Sequence, residues 1–416
     1  VRQLMSVYTA VLILFIIAMS LVRIPAAAAQ HDQSCTLLPE SSAVSKLLEL
    51  IEADALYKDS FSELEIERYL LEAILSSLND PYTALVDTIK YRDAGSSARS
   101  NSHALGLILD KDRFDRIMVR SVLPGSPAEE AGLRPDDRIL RIGSENTHGL
   151  SVWETLPLLS EARSADTAGS IEITAEQPGS PARRCTLRYG AYDIRTVELR
   201  IGDVGSFSPF EQPRWEDRPA GKFAWIKIHS FMDSRTKSEW SRVVDTIKAS
   251  PSVNKVILDL RDNGGGDNSC ISILSDFFLS GETLVRFESL LSTQPGTERV
   301  RNYYTPRSRL ISYPTAVIVN RRTASLAEIT AAALRDNRAI PLVGENTFGK
   351  GRTQTWVRLG ERFAAHLTLG RWITPAGASV EGRGLSPDIH VKHDPHTTDR
   401  DEQLLAALRA LLSQDF

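Results

Sequence analysis

The stretch TAVIVNRRTASLAEITAAALRD, residues 315–336, decides the fold of this chain. It begins with a short apolar run, continues through a polar turn and ends in an alanine-rich segment, so it predicts a buried strand followed by a helix. The same theme occurs upstream in KVILDLRDNGGGDNSCISILSDFFL, residues 255–279. Continuous apolar strands that alternate with helices indicate a largely parallel sheet covered by helices. We therefore predict an α/β unit over residues 191–396, followed by a C-terminal helix over residues 397–416.

The loops that follow these two strands carry the candidate chemistry, because the carboxyl ends of parallel strands lie side by side. In the first loop, residues 263–266 read Asn-Gly-Gly-Gly. Glycines there could free backbone N–H groups for an oxyanion, or they could serve only to make the turn. In the second loop, Ser325 lies between strand and helix. With Glu328 three residues later it also fits a capping box, which is a purely structural role.

A nucleophilic serine needs a base, because its hydroxyl is barely ionised at neutral pH. No histidine lies in these loops, and His366 is part of the strand-like run FAAHLTL. Lys350 lies in a third loop, GENTFGKG (residues 344–351), where burial among apolar groups would lower its pKa toward neutrality. This loop resembles a phosphate-binding loop as far as the lysine. However, Gly351 replaces the required Ser or Thr and a strand-like pattern follows, which argues against a nucleotide site.

Composition narrows the class of protein. The chain has 416 residues, of which 42% are hydrophobic and 25% charged, which suits a globular fold of about two or three domains. The net charge is −4, so no basic field attracts nucleic acid, and we predict no nucleic-acid partner. The three cysteines are widely spaced and cannot all pair, which argues against a disulfide framework. No His/Cys cluster has metal-ligand spacing, so neither a metal nor another cofactor is implied.

Residues 1–29 have the three-part layout of a secretory signal peptide. Arg2 precedes the apolar stretch of residues 7–22, and residues 27–29 offer an Ala-x-Ala cleavage site. An uncleaved anchor is the alternative, but Arg23 interrupts the stretch before the roughly 20 apolar residues that a membrane span needs. We therefore expect an exported protein of the bacterial periplasm or cell envelope, with peripheral membrane association left open.

Two further regions precede the α/β unit. Apolar residues at helical spacing predict a helical N-terminal region over residues 36–95, whose helices could serve as a homodimer contact. From Leu105 the pattern changes to short strands with turns rich in Pro and Gly. This change predicts a small β-rich domain over residues 103–190.

Taken in order, these motifs resemble those of the carboxyl-terminal processing peptidases, or tail-specific proteases, of peptidase family S41. The similar segments are LNDPYTALVD (78–87), LDLRDNGGG (258–266), residues 315–336, GENTFGKGRTQ (344–354) and LTLGRWITPAGASVEGRGLSPDIHV (367–391). The β-rich module resembles a PDZ domain, through ALGLIL (104–109) and PGSPAEEAGLRPDDRILRIG (124–143). The resemblance implies an α/β multidomain protein in which a PDZ-like domain is inserted before a ClpP/crotonase-like peptidase core.

The resemblance also implies a serine endopeptidase that cleaves exported proteins near their C-termini. The residues that match the family's catalytic nucleophile, general base and base-orienting side chain are Ser325, Lys350 and Gln354. Those that match the oxyanion donors are Gly265, Gly266 and, through its N–H, Leu326. Those that match the peptide contacts of a PDZ domain, which would bind protein or peptide C-termini, are Leu105, Gly106 and Leu107. Asp336 matches a residue that is acidic in some members, and it is at most supporting.

Departures from the family pattern leave two alternatives open. Gly264 replaces a proline of the oxyanion loop, Thr323 replaces a serine, and Leu326 replaces a small residue and could narrow the pocket. One alternative is a catalytically silent PDZ-containing scaffold of the cell envelope, against which the intact Ser325, Lys350 and Gln354 argue. The other is an oxyanion-hole enzyme that acts on thioesters, against which the PDZ-like module and the export signal argue.

Overall fold

The computed structural model describes residues 46, 62–89, 105–112, 114, 116–161, 169–190, 192–203, 222–277, 281–289, 300–304, 313–393 and 401–412. The predicted signal peptide and most of the predicted N-terminal helical region lie outside these residues. No helix among the described residues is long and apolar enough to cross a membrane. The chain divides into residues 1–67 and residues 68–416. Almost all described elements belong to the second unit.

The described part of the N-terminal region contains a helix and a strand. Helix α1 (Glu63–Ser77) ends before an Asp-Pro turn, and strand β1 (Ala84–Asp87) follows. Pro81 cannot continue the helical hydrogen-bond pattern, and Val86 of the strand is buried. The region predicted as helical therefore also contains a strand, which pairs with the C-terminal part of the chain.

The next elements form a β-rich domain with its own apolar core. Its strands are β2 (Leu107–Lys111), β3 (Ile117–Val122), β4 (Arg138–Ile142), β5 (Glu145–Asn146), β6 (Ser170–Glu176) and β7 (Arg183–Arg188). They form an antiparallel sheet in the order β2-β3-β4-β6-β7, with β5 beside β4 and helices α2 (Pro127–Glu130) and α3 (Val152–Glu161). In β6 and β7 alternate residues are buried, as expected for a sheet with one face on the core. Strand β2 lies at the edge of this sheet.

The C-terminal unit is built on a six-stranded sheet. Its strands are β8 (Val197–Gly202), β9 (Lys222–Ile228), β10 (Val253–Asp259), β13 (Thr315–Val319), β14 (Leu342–Gly344) and β17 (Ile389–His390). They lie in the order β17-β14-β13-β10-β9-β8. All neighbours pair in parallel except β8 and β9, which are antiparallel. This confirms the predicted, largely parallel sheet.

Helices cover both faces of this sheet. The side chains of its central strands, which point alternately to opposite faces, are therefore buried on both sides. Helix α4 (Asp233–Lys248), a 3₁₀ helix (Asn268–Phe277) and α5 (Leu326–Arg338) pack on one face, around side chains such as Ile226 and Leu258. Helix α6 (Glu402–Leu412) packs on the other, against Phe223 and Ile257. The segment after the Gly-rich loop is thus helical as predicted, but as a 3₁₀ helix.

A second, antiparallel sheet completes the unit. It contains β1, β11 (Thr283–Ser289), β12 (Val300–Tyr304), β15 (Arg352–Leu359) and β16 (Phe363–Ile373). Because β1 precedes the β-rich domain in the chain but pairs with β16, that domain is inserted between parts of one α/β unit. The predicted α/β multidomain fold with an inserted β-rich domain is confirmed.

Candidate active site

Ser325 lies in the turn between β13 and α5, where the backbone is strained. It is the N-cap of α5, with φ 55° and ψ −120°. A residue with a side chain rarely adopts positive φ, and such strain persists where the surrounding structure enforces it, often at functional sites. The neighbours Ala324 and Leu326 are buried, and Ser325 itself is half-buried. The turn therefore holds Ser325 at the carboxyl end of a parallel strand, where α/β sheets place their sites.

Glu328 connects this turn to the loop that carries Lys350. Its Oε2 accepts hydrogen bonds from the backbone N–H groups of Ser325 and Lys350, both at 2.9 Å. Its Oε1 accepts from the Thr347 hydroxyl at 2.5 Å and from the N–H of Gly349 at 2.7 Å. Glu328 is fully buried, and burial raises the pKa of its carboxyl, against the effect of these four donors. The predicted capping interaction is present, but the carboxylate also fixes the lysine loop.

Backbone hydrogen bonds join the three candidate loops. The N–H of Ala324 donates to the carbonyl of Asn263 in the Gly-rich loop, at 2.9 Å. The N–H of Phe348, in the lysine loop, donates to the carbonyl of Thr323, also at 2.9 Å. Each of these bonds has one partner in the turn around Ser325. That turn therefore lies between the other two loops, as the adjacency of β10, β13 and β14 requires.

The Lys350 side chain is half-buried and lies beside the Tyr82 ring. Burial lowers the pKa of its amine, and Arg120 acts in the same direction, whereas Asp110, the carboxylate with the largest effect, raises that pKa. The amine nitrogen lies 4.5 Å from the centroid of the Tyr82 ring. Among the residues that the structure describes, it makes no hydrogen bond or ion pair. A lowered pKa favours the neutral amine, which is the form that can accept a proton from a serine.

Gln354, predicted to orient the lysine, has another partner in this structure. It lies on β15, and its Nε2 donates to Thr368 Oγ1 at 3.1 Å. It makes no hydrogen bond to Lys350 within the described part of the chain. Catalytic hydrogen bonds in unliganded enzymes often form only once the substrate is bound. The role of Gln354 therefore stays a prediction.

The Gly-rich loop approaches the Ser325 turn so closely that only glycine fits at position 265. A Cβ on Gly265 would lie 2.8 Å from the Ser325 Cβ and 2.9 Å from the Leu326 nitrogen, and the residue has φ 93°. The N–H of Gly265 donates to Asn263 Oδ1 at 2.8 Å. In the described residues, the N–H groups of Gly266 and Leu326 make no hydrogen bond. Of the three predicted oxyanion donors, Gly265 therefore already has a partner for its N–H, and the roles of Gly266 and Leu326 stay predictions.

One predicted site residue, Leu326, and the supporting candidate, Asp336, have side chains that contact other parts of the unit. The Leu326 side chain is fully buried in the main core, so its size is accommodated there, and its role depends on its N–H. Asp336 lies eleven residues (336 − 325) after Ser325, about 16 Å along α5. It accepts a hydrogen bond from the N–H of Ala376, at 3.0 Å. Asp336 therefore supports a distant turn.

The predicted peptide contacts lie at the start of edge strand β2. Leu105 and Leu107 are buried in the core of the β-rich domain, so a peptide would meet their backbone. Gly106 has φ 65° and packs against Ser126, which leaves no space for a side chain. The outer edge of β2 is unpaired among the described strands. An edge strand of this kind can accept an extended peptide as an additional strand.

The β-rich domain contacts two of the candidate loops through Arg120. This side chain forms an ion pair with Asp110, and its guanidinium lies 4.0 Å from the centroid of the Phe348 ring. It also crosses Gly264, where an added Cβ would lie 2.8 Å from the Arg120 Cγ. The glycine that replaces the family's proline therefore leaves room for an arginine of the β-rich domain.

A second contact lies beside the Ser325 turn. Asp136 of the β-rich domain pairs with Arg321 at 2.7 Å and with Arg322 at 3.0 Å. Arg322 also pairs with Asp262, which precedes the Gly-rich loop, at 2.8 Å. These side chains are partly exposed, so each pair contributes little stability by itself. Together they place the β-rich domain against both loops.

Sequence reasoning missed several residues of this site. Glu328 was assigned only a capping role, and no role was given to Tyr82, Asp110 or Arg120. The DPYT motif marks Tyr82, but its partner is 268 residues away (350 − 82). No local signal in β2 or β3 identifies Asp110 and Arg120, because they reach the site only through the contact between domains.

Comparison with known proteins agrees with this architecture. Residues 222–391 match peptidase family S41, and residues 118–165 match a PDZ domain. The carboxy-terminal processing protease CtpA of Bacillus subtilis is 25% identical over 349 residues, covering 83% of this chain and 68% of the relative. A carboxyl-terminal-processing protease of Picosynechococcus sp. is 29% identical over 349 residues, covering 82% of this chain and 78% of the relative.

A solved structure shows the same fold. The photosystem II D1 C-terminal processing protease superposes with a TM-score of 0.62 at 23% identity, covering 90% of this chain and 92% of that one. The matched peptidase region contains all three loops that meet at Ser325, Lys350 and Gly265. The predicted resemblance is confirmed: residues 222–391 match peptidase family S41, residues 118–165 match a PDZ domain, and the relatives are carboxyl-terminal processing proteases.

Proposed function

We propose that this protein is a serine endopeptidase that cleaves protein substrates near their C-termini, with Ser325 as nucleophile and Lys350 as general base. The observation that carries this proposal is the shared Glu328 carboxylate, which holds the backbone of both residues at 2.9 Å. The strained turn at Ser325 and the lowered pKa of the Lys350 amine support it. Both features are typical of functional sites.

These positions support the following mechanism. Lys350 accepts the Ser325 proton as the hydroxyl attacks the scissile carbonyl, and then gives that proton to the leaving amine. The N–H groups of Gly266 and Leu326 stabilise the oxyanion, and removal of one such donor costs about 3 to 4 kcal/mol in comparable hydrolases. Water then hydrolyses the acyl-enzyme. Gln354 would exchange Thr368 for the Lys350 amine when substrate is bound.

We further propose that the PDZ domain binds the substrate tail along β2. The tail carboxylate would meet the backbone N–H groups of residues 105–107, and the peptide would run antiparallel to β2. It would then extend toward Asp110, whose charge acts on Lys350. Titration of the Ser325→Ala variant with an apolar peptide tests this step. The free acid should bind, and the same peptide with an amidated C-terminus should bind at least tenfold more weakly.

Export and self-association complete the proposed function. The signal-like pattern of residues 1–29 supports export to the periplasm or cell envelope. Apolar side chains at positions 70, 74 and 78 lie at helical spacing, and Ile74 and Leu78 are 57% and 55% exposed, which supports a dimer contact. Sedimentation of the parent and of Ile74→Glu tests the contact, because only the parent should dimerise.

The decisive experiment is cleavage of an unfolded reporter protein with an apolar C-terminal tail. The parent should cleave it, and Ser325→Ala and Lys350→Ala should not, while both variants keep the circular dichroism spectrum of the parent. Cleavage that survives either substitution would exclude this dyad. Tail binding without cleavage by the parent would favour a catalytically silent scaffold.

A further inference from the structure

Tyr82 lies in a turn that is fixed against the lysine loop. The turn joins α1 to β1, and Asp80 holds it by accepting from the Thr83 hydroxyl at 2.7 Å and from the N–H of Tyr82 at 3.3 Å. Asp80 also pairs at 3.2 Å with Arg352, which lies two residues after Lys350. The position of the Tyr82 ring is therefore tied to the segment that carries the base.

Hydrogen bonds fix both the N–H and the carbonyl of the Lys350 backbone. Its N–H donates to Glu328 at 2.9 Å, and its carbonyl accepts from Trp372 Nε1 at 2.8 Å. From this fixed backbone the side chain brings Nζ to 4.5 Å from the Tyr82 ring centroid. Burial raises the pKa of the Tyr82 hydroxyl above its usual range, so the phenol stays neutral. The ring therefore offers Lys350 its π face and carries no negative charge.

We propose that Tyr82 positions Lys350 and stabilises the ammonium that forms when Lys350 accepts the Ser325 proton. An aromatic face attracts a cation electrostatically, most strongly where water is excluded. The role corresponds to that of the carboxylate that stabilises the imidazolium in a Ser-His-Asp triad. The inference rests on the proposed Ser325–Lys350 dyad. It assigns to the neutral Tyr82 ring the role of positioning the Lys350 amine, which the sequence pattern predicts for Gln354.

Besides the neutral Tyr82 ring, several charged groups influence the charge state of the Lys350 amine. The carboxylates that favour its ammonium are Asp110 on β2, Asp80 in the Tyr82 turn and Glu381 in the turn after β16. Arg120 on β3 opposes the ammonium. The Glu328 carboxylate accepts from the Lys350 N–H. A substitution at Tyr82 leaves all five groups in place, so a comparison of variants at this position isolates the ring.

The test compares Tyr82→Phe with Tyr82→Leu. Phenylalanine keeps the aromatic face, whereas leucine keeps apolar bulk without it. We expect Tyr82→Phe to stay within about threefold of the parent kcat, and Tyr82→Leu to lose about tenfold. The ring favours the protonated amine, so its loss lowers the pKa of Lys350. The acid limb of the pH profile of kcat should therefore move to lower pH by about one unit in Tyr82→Leu only.

A second readout does not need catalysis. In the Ser325→Ala background, the ¹⁵N NMR titration of the Lys350 amine should show the same lower pKa for Tyr82→Leu and not for Tyr82→Phe. If Tyr82→Leu does not fold, pentafluorophenylalanine in place of Tyr82 keeps the shape and reverses the ring's charge distribution. It should give at least the same loss.

Three outcomes would overturn the inference. Equal kcat and equal acid limbs for the leucine and phenylalanine variants would mean that the ring only fills space. An equal loss in both would assign the effect to the hydroxyl. Unchanged activity with pentafluorophenylalanine would exclude the π face. If Lys350→Ala itself keeps cleavage, the proposed function fails; if Lys350→Ala is inactive and the Tyr82 variants do not differ, only this inference fails.

Discussion

The backbone N–H groups of Ser325 and Lys350 donate to one oxygen atom, Oε2 of Glu328, at 2.9 Å each. The two residues are 25 positions apart (350 − 325) and lie after different strands. Because Glu328 is fully buried, water cannot take over its hydrogen bonds. A residue that reads as a helix cap in the sequence therefore sets the distance between the nucleophile turn and the lysine loop.

Replacement of Glu328 should cost both stability and activity. Glu328→Gln leaves one acceptor oxygen and turns an NH₂ group toward N–H donors, so we expect a loss of about 2 to 5 kcal/mol in the free energy of unfolding. Activity should fall more than 100-fold even where the variant is folded, because a small displacement of the two loops misplaces the base. Urea unfolding and kcat/KM of the folded fraction measure the two effects.

The matched control is Glu130→Gln. Glu130 is an exposed glutamate at the end of α2. It should change the free energy of unfolding by less than about 0.5 kcal/mol. A Glu328→Gln variant as stable and active as this control would show that the carboxylate does not hold the two loops.

The pH dependence of activity should report the environment of Lys350. Its pKa is lowered from 10.5 by burial, and the base is active when neutral, so kcat/KM should rise with pH through an acid limb below 10.5. Asp110 favours the ammonium, so Asp110→Asn should move this limb to lower pH. Loss of the Asp110 pairing also leaves the charge of Arg120 uncompensated, which acts in the same direction.

The control for that shift is Asp112→Asn, one residue beyond β2. Asp112 pairs with Arg116 at 2.7 Å, and it is not among the groups with the largest effects on the pKa of Lys350. We expect a shift on the order of one pH unit for Asp110→Asn and none for Asp112→Asn. If the acid limb stays at the same pH in both variants, the charge of Asp110 does not influence the pKa of Lys350.

Gly265→Ala tests the close approach of the Gly-rich loop. The added Cβ would lie 2.8 Å from the Ser325 Cβ, so the loop must move away from the nucleophile. We expect a loss of kcat of at least about 100-fold, as for the removal of an oxyanion donor. Gly377→Ala is the control, because Gly377 has a similar φ of 87° but nothing within 4 Å of the added Cβ. It should lose about 1 kcal/mol of stability and keep its activity. Equal activity of the two variants would contradict the close approach.

Gly264→Ala tests the contact with the PDZ domain. The new Cβ would lie 2.8 Å from the Arg120 Cγ, so we expect a loss of about 1 to 3 kcal/mol in the free energy of unfolding. In the Arg120→Ala background the clash is absent, and Gly264→Ala should cost less than about 0.5 kcal/mol. A double-mutant cycle measures this coupling. Additive losses would mean that Arg120 does not lie across Gly264 in solution.

Much of the fold could be predicted from local patterns. The strands at 253–259 and 315–319 are largely apolar runs, and each is followed by a polar turn and a helix. The hydrophobic periodicity of these segments and the turn residues between them therefore predicted the parallel sheet. The alternating pattern after Lys350 predicted the strand there, and it also argued against a phosphate-binding loop. The strand Ala84–Asp87 was missed, because four residues after a proline turn give no period of their own. Its pairing with β16 is a contact across almost the whole chain.

The sequence by itself determined which residues are available for chemistry: Ser325 at a strand-to-helix turn, Lys350 between two glycines, and glycines at 264–266. These are local properties of residue type and spacing. Only the tertiary structure decided that Glu328 holds two loops, that Tyr82 faces the amine, and that Arg120 of the PDZ domain reaches Gly264. The physical reason is that hydrogen bonds, cation–π contacts and burial depend on distances in space. Folding sets those distances between residues that are far apart in the chain.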